Sequence, residues 1–259
     1  MTFIASRDNS RVRRWRELAR DARVRRKRQR AMIEGGKLIL AFLQSGKAVE
    51  SLILSKSGSS RTEFIELVRQ TGKSPTVLAD TVFRTITDTE APAGIAAEIA
   101  LPGSGPDLKT SPGCVFLDGI QDAGNVGAIL RSAAAFGIRD AALGQGCADA
   151  WSPKVLRAAM GAHFSMCIAE SADLAVDIDR FGGTVVCTVP RGGVAISAAD
   201  LTGRIGWIFG TEGHGVSDAL AARATLRVSI PMSGFAESLN VAAAAAICFY
   251  QSSLAGAGA

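Results

Sequence analysis

Long apolar runs are missing from this 259-residue chain. Although 47% of its residues are hydrophobic and mean hydropathy is +0.21, charge or glycine interrupts every stretch before it reaches the ~18 residues that span a bilayer. A membrane-spanning protein is therefore not expected, and the longest apolar helix, Val241 to Tyr250, reads as core. Histidine is nearly absent: His163 and His214 are the two, and no His-Glu-x-x-His pattern occurs, which removes a common zinc arrangement. The five cysteines (Cys114, Cys147, Cys167, Cys187 and Cys248) are scattered, odd in number and without a Cys-x-x-Cys pair. They read as reduced, buried thiols of a cytoplasmic protein, with no metal centre. No P-loop is present, and no G-x-G-x-x-G follows the first strand of the C-terminal half, so the usual nucleotide folds are not indicated. The Arg-rich N-terminus lacks an apolar core and a small-residue cleavage site, so it does not read as a signal peptide.

Acidic charge is scarce at one end only. Through Lys37 there are eleven Arg and two Lys against Asp8, Glu17, Asp21 and Glu34, a net of +9; the whole chain is +5, leaving about −4 for the rest. The segment Arg11 to Arg30, with Trp15 inside it, reads as a basic helix. Arg11, Arg13, Arg14, Arg23, Arg25 and Arg26 are its candidates for nucleic-acid phosphate contacts, which gain from counterion release. A plain solvated helix face is the alternative. A membrane-surface helix is disfavoured because no stripe rich in Leu or Phe is apparent. Trp151 and Trp207 read as packing residues, whereas Trp15, set beside arginines, is also a candidate base-stacking platform.

The pattern changes at Leu101 to Gly113, a Pro-, Gly- and Ser-rich stretch that reads as a linker. Three parts are expected: residues 1–100, a basic segment and small α/β domain; a linker over 101–112; and residues 113–259, a second α/β domain. In the first, Glu50 to Lys56 reads as a strand, and Thr62 to Gln70 as a helix with Phe64, Ile65, Leu67 and Val68 inward. Val77 to Ala79 is strand-like, Asp80 caps a short helix, and Gly94 to Ala100 closes the domain. In the second, Cys114 to Leu117, Ala141 to Leu143, Thr184 to Val189, Ile205 to Phe209 and Leu226 to Ile230 read as strands. Asn125 caps a helix over Val126 to Phe136, Ser152-Pro153 opens another, Val216 to Ala224 is helical, and Asn240 to Leu254 is the closing helix. Such alternation implies a mostly parallel sheet covered on both faces.

Strand ends carry the chemistry. Loops holding Asn125, Gly210 to Gly215, and Met232 to Asn240 follow three strands, and ligands in open α/β sheets sit beyond the carboxyl ends of strands. Glycines there let backbone groups approach a ligand closely, although tight turns alone would also account for them. For Asn125, Ser238 and Asn240, helix capping is the plain alternative.

These loops resemble the motifs of the SpoU (TrmH-like) family of RNA ribose methyltransferases, in the SPOUT superfamily. The first runs from Leu117-Asp118-Gly119 through Asn125 to Arg131-Ser132-Ala133. The second is Ile208-Phe209-Gly210-Thr211-Glu212-Gly213-His214-Gly215, and the third runs from Ile230-Pro231-Met232 to Ser238-Leu239-Asn240-Val241-Ala242. The likeness covers residues 113–254, and three motifs in order make it specific. Ile33-Glu34-Gly35 before a helix, and Asp88-Thr89-Glu90 running into Gly94-Ile95, carry a weaker likeness to the small RNA-binding domain that often precedes this one. Gly36 departs from it, standing where many relatives have histidine or arginine.

The resemblance implies a deep trefoil knot, an exception to the rule against threaded connections, and a homodimer with the site at its interface. It implies S-adenosylmethionine held by Gly210, Thr211, Ile230, Met232 and Leu239, largely through backbone groups, with no metal. The catalytic set would be Arg131, Asn125, Glu212, Ser238 and Asn240. A guanidinium keeps its proton to a pH above ~12, so Arg131 is read as placing an RNA phosphate and stabilising negative charge. Methylation of a ribose 2′-hydroxyl in 23S rRNA is the expected activity. A tRNA substrate comes second, a non-catalytic RNA-binding or ribosome-assembly protein third, and a small-molecule enzyme is disfavoured by the basic N-terminal stretch. His163 reads as structural, and His214 as a residue of minor prospects at the site.

Overall fold

Short β-branched and aromatic runs separated by amphipathic stretches form two sheets in the computed structural model, which describes residues 2–103, 105–234 and 238–256. Two compact units result: Met1–Gly103 with Trp151–Phe164, and Ser104–Ala150 with Ser165–Ala259.

The first unit contains β1 (Thr2–Ile4), α1 (Ser10–Arg20), α2 (Ala22–Arg28), β2 (Arg30–Glu34), α3 (Gly36–Gln44), β3 (Ser51–Ser55), α4 (Thr62–Thr71), β4 (Thr76–Leu78), α5 (Asp80–Phe83) and β5 (Ile95–Ala100). Its sheet runs β1-β4-β3-β5-β2, parallel across β1, β4 and β3 and antiparallel at β5 and β2. The basic segment is built into this unit. Helix α1 does carry an apolar stripe, Val12, Trp15, Leu18 and Ala19, spaced to face one side and packed with Met32, Ile53, Leu78 and Phe83. Trp15 is fully buried, as a packing residue, and donates from Nε1 to Glu98 Oε2 at 2.9 Å.

Three local expectations are corrected here. Asp80 is the first residue of α5 and does not cap it; its carboxylate accepts from Ser57 N and Oγ instead. Ile65 is 63% exposed, because the inward face of α4 is narrower than its apolar content and is filled by Phe64 and Leu67. Cys167 is exposed, since it opens a strand at a sheet edge, while Cys114, Cys187 and Cys248 are buried. Burial pushes the Cys248 thiol up to about 12.

A segment from the C-terminal half completes the first unit: α7 (Pro153–Ala159), capped by Ser152 in the expected order with Pro at the helix start. Arg157 forms a bidentate pair with Asp88, and Phe164 meets Phe42 edge-on with ring centroids 5.1 Å apart. His163 is fully buried beside Trp151. Close by, the Glu34 carboxylate accepts from Ala93 N at 2.9 Å and Thr89 Oγ1 at 3.1 Å. This gives the Ile33-Glu34-Gly35 and Asp88-Thr89-Glu90 stretches a structural part: one pins the other.

The second unit holds β6 (Gly113–Leu117), α6 (Ala123–Ala135), β7 (Asp140–Leu143), β8 (Cys167–Glu170), α8 (Leu174–Phe181), β9 (Thr184–Thr188), β10 (Val194–Ala195), β11 (Ile205–Phe209), α9 (Asp218–Ala221), β12 (Leu226–Ser229) and α10 (Val241–Gly256). All its paired strands are parallel, in the order β10-β12-β9-β11-β6-β7-β8. The central strand β11 is buried at every residue, as a sheet covered on both faces requires. Among the described residues no helix is long and apolar enough to cross a membrane.

Burial raises the pKa of Glu34, against the lowering effects of the Ala93 N–H, Thr89 and Arg157. A carboxyl whose pKa is raised in the fold contributes stability that is complete below its ordinary value and lost as pH rises through the raised one. Glu34→Gln cannot ionise and still offers an oxygen to Ala93 and Thr89. Urea unfolding of both proteins from pH 4 to 8 should show the variant gaining on the parent as pH rises. A gap that shrinks with pH would contradict this.

Candidate active site

Parallel β6, β11, β9 and β12 deliver their C-terminal ends to one edge, and the loops that follow form a pocket of about 350 Å³. Val189, Ile230, Leu239 and Val241 give it apolar walls, and the Gly210–Val216 loop forms one side. All five residues expected at a cofactor, Gly210, Thr211, Ile230, Met232 and Leu239, line it, together with Glu212, His214 and Ser238. Cys187 also lines it, with its thiol pushed up by burial.

The glycine loop is folded back on itself. Thr211 N donates to Gly215 O at 2.9 Å and Gly215 N to Thr211 O at 2.8 Å, while His214 N donates to Thr211 Oγ1. A Cβ on Gly210 would lie 1.9 Å from Gly215 O, so only glycine fits there. Asp118 anchors the loop: its N–H donates to Phe209 O and its carboxylate accepts from Ser217 N, both at 2.8 Å. Sequence reasoning passed over Asp118, although it stands in the first motif directly after a strand.

Polar side chains meet at the rim. Glu212 Oε1 accepts from Asn125 Nδ2 at 2.9 Å and from Asn240 Nδ2 at 2.6 Å, and Asn240 Nδ2 also lies 3.0 Å from Asn125 Oδ1. The capping expectation fails for Asn125. The cap of α6 is Asp122, whose carboxylate accepts from Asn125 N at 2.9 Å, so the Asn125 side chain is released to bond Glu212. It holds for Asn240, whose Oδ1 accepts from Ala242 N and Ala243 N while its amide N–H groups serve the cluster. Ser238 lines the pocket but makes no side-chain hydrogen bond among the described residues.

Arg131 is not gathered in. Six residues at about 100° each place it roughly 120° around α6 from Asn125. It is exposed and forms no ion pair or hydrogen bond among the described residues. No group of three or more His, Cys, Asp or Glu suited to a metal occurs among them.

The N-terminal candidates separate by environment. Arg13, Arg23 and Arg26 are exposed on α1 and α2. Arg11 donates to Thr76 Oγ1 at 2.7 Å and lies over the Trp15 ring. Arg14 pairs with the buried Glu98 at 2.7 Å. Arg25 departs from expectation: it is buried and donates to Leu18 O at 2.6 Å, because the turn between α1 and α2 directs it inward. A helix C-terminal carbonyl takes the place of a phosphate.

Comparison with known proteins identifies relatives for both parts of the chain. The SpoU rRNA Methylase family matches residues 112–250, and the MRM3-like substrate binding domain matches residues 9–97. The chain is 32% identical to the 23S rRNA (guanosine(2553)-2'-O)-methyltransferase RlmP of Bacillus subtilis, over 96% of this chain and 98% of that one. It is 36% identical to the 23S rRNA (guanosine-2'-O-)-methyltransferase RlmB of Coxiella burnetii, over 53% of this chain and 56% of the other. The SpoU methyltransferase AviRb from Streptomyces viridochromogenes, in complex with AdoMet, superposes with a TM-score of 0.84 at 26% identity, covering 96% of this chain and 99% of that one. An AdoMet-bound rRNA methyltransferase from Sinorhizobium meliloti gives 0.82 at 27%, covering 97% of each.

Gly210→Ala should open the loop, because its Cβ overlaps backbone that cannot swing aside. The expected cost is about 1–3 kcal/mol in urea unfolding, with new protease sensitivity between 210 and 216. Unchanged stability and protection would show that the loop has room the geometry denies.

Proposed function

The chain belongs to the SpoU rRNA Methylase family, and on that premise we propose that it transfers a methyl group from S-adenosylmethionine to a ribose 2′-hydroxyl of 23S rRNA. The observation that carries the reading is the pocket at the strand ends, with the Asn125–Glu212–Asn240 cluster on its rim. RlmP, similar over nearly its whole length, is by name a 23S rRNA enzyme, and this favours rRNA over tRNA.

The pocket suits the cofactor. Apolar walls at Ile230, Leu239 and Val189 accept a flat ring, and the glycine loop, bare of side chains at Gly210 and Gly213, offers backbone groups to polar edges. Gly210, Thr211, Ile230, Met232 and Leu239 would hold it. When bound, S-adenosylmethionine supplies a methyl group on a positively charged sulfur. The ribose hydroxyl must meet it in line, so the protein's contribution is position and charge. Glu212, fixed by two amides, presents its second oxygen to ribose or to an arginine. Arg131 binds a phosphate next to the target ribose and stabilises the negative charge that grows on its 2′-oxygen. At neutral pH a guanidinium has no lone pair to take the proton, so its part is electrostatic.

Within one chain Arg131 points away from the cluster, and we propose that a second copy brings it. Helix α10 buries Val241, Ala245, Cys248 and Phe249 but exposes Ile247, Tyr250 and Leu254, spaced to lie on one face. A two-fold dimer over that face buries the stripe and lets Arg131 serve the partner's pocket. A trefoil knot is part of the same reading, and the packing of α10 against α6 after β12 supports it. The protein would act in the cytoplasm, where its thiols stay reduced.

Labelled methyl transfer to methylation-naive 23S rRNA, 16S rRNA and tRNA tests the activity; label in 23S rRNA alone is expected, lowered at least ~100-fold in Arg131→Ala. Label confined to tRNA would overturn the substrate assignment. Mixing Arg131→Ala with Asn240→Ala, each inactive, should restore about one quarter of wild-type activity, because half the dimers then hold one complete site. No recovery would place Arg131 in its own chain's site.

A further inference from the structure

A second concavity lies wholly in the N-terminal unit. About 610 Å³ in volume, it is lined by Arg14 and Glu17 of α1, Val24, Lys27 and Arg28 of α2, Arg30 of β2 and Glu98 of β5. Four cations face two carboxylates, and one carboxylate is already committed: Glu98 accepts from Arg14 Nη2 at 2.7 Å and from Trp15 Nε1 at 2.9 Å. Arg30 is paired with Glu50 at 3.3 Å. Lys27 and Arg28 have no ion pair or side-chain hydrogen bond among the described residues, and Arg14 Nε is without an acceptor. The pocket is thus rich in unmet donors, with Glu17 as its uncommitted counter-charge.

We propose that this pocket seats backbone phosphates of the RNA substrate, with Lys27 and Arg28 as their principal ligands. This rests on the RNA-methylating reading above and sharpens it, since neither residue was among the arginines singled out from the sequence. A concave wall gathers positive potential more strongly than exposed positions outside it, such as Arg13 and Arg23. Two phosphates held there should contribute about two ions to the salt dependence of binding. Lys27 and Arg28 hold no structural contact that their loss would break, so the pocket is separable from the fold.

The test is fluorescence anisotropy of a 23S rRNA fragment that the wild-type enzyme methylates, titrated with full-length wild-type, Lys27→Ala/Arg28→Ala and Arg13→Ala/Arg23→Ala proteins across a range of salt. The first variant is expected to lose about tenfold or more in affinity and to flatten the salt slope by about two, with its melting temperature unchanged. The second should lose less. Equal losses in the two variants, or isotherms of the first that overlay the wild type, would overturn the pocket while leaving the methyltransferase reading intact. A wild-type protein that labels no RNA would overturn that reading instead, and the pocket with it. Inorganic phosphate, titrated alone, separates the sources: a strand-binding pocket takes it up weakly, and saturation by it without loss of RNA affinity would overturn the proposal.

Discussion

One carboxylate oxygen holds the rim of the pocket in shape. Glu212 Oε1 is shared by two amides, one from within α6 and one from the cap of α10, while Glu212 itself sits on the loop after β11. Asn240 spends its whole hydrogen-bonding capacity here: two N–H donors go to Glu212 and Asn125, and its oxygen caps α10. An aspartate at 240 would keep the cap and lose both donors; a serine would keep the cap but fall short of Glu212. Asparagine meets both demands at once, and this ties the start of the last helix to the glycine loop.

The glycine loop depends in turn on backbone crowding. Gly210 lies so near Gly215 that the two ends of the turn are almost in contact, and Asp118 clamps the loop from the neighbouring strand. Side-chain bulk is excluded at Gly210, while Val189, Ile230, Leu239 and Val241 supply branched apolar lining. A pocket of this kind offers an occupant both apolar contact and polar groups.

Much of this could be read from residue order. The parallel sheet of the second unit followed from strand–helix alternation, and the five pocket residues followed from the family resemblance of two motifs, 208–215 and 230–242. What the order did not hold was choice among equivalents. Asp122 and Asn125 stand three residues apart and either is fit to cap a helix; which one does so depends on where α6 begins. Arg25 looks like any other arginine in a basic run, and its burial is decided by the turn at Asp21. Trp15 and its stripe were hidden because arginines fill the positions between them. Strand β8 and helix α8 were missed because their apolar stretches are short and lack a sharp breaker.

The segment Trp151–Phe164 carries a consequence for descent. It lies between β7 and β8 in the chain, yet its helix and its phenylalanine belong to the first unit. A gene break at the Pro- and Gly-rich stretch would thus carry away five strands and leave behind Arg157, the partner of Asp88, and Phe164, the partner of Phe42. Recombination in one cut cannot exchange this unit for another. A change at position 42 or 88 therefore alters a contact whose other half, at 164 or 157, is encoded beyond that break.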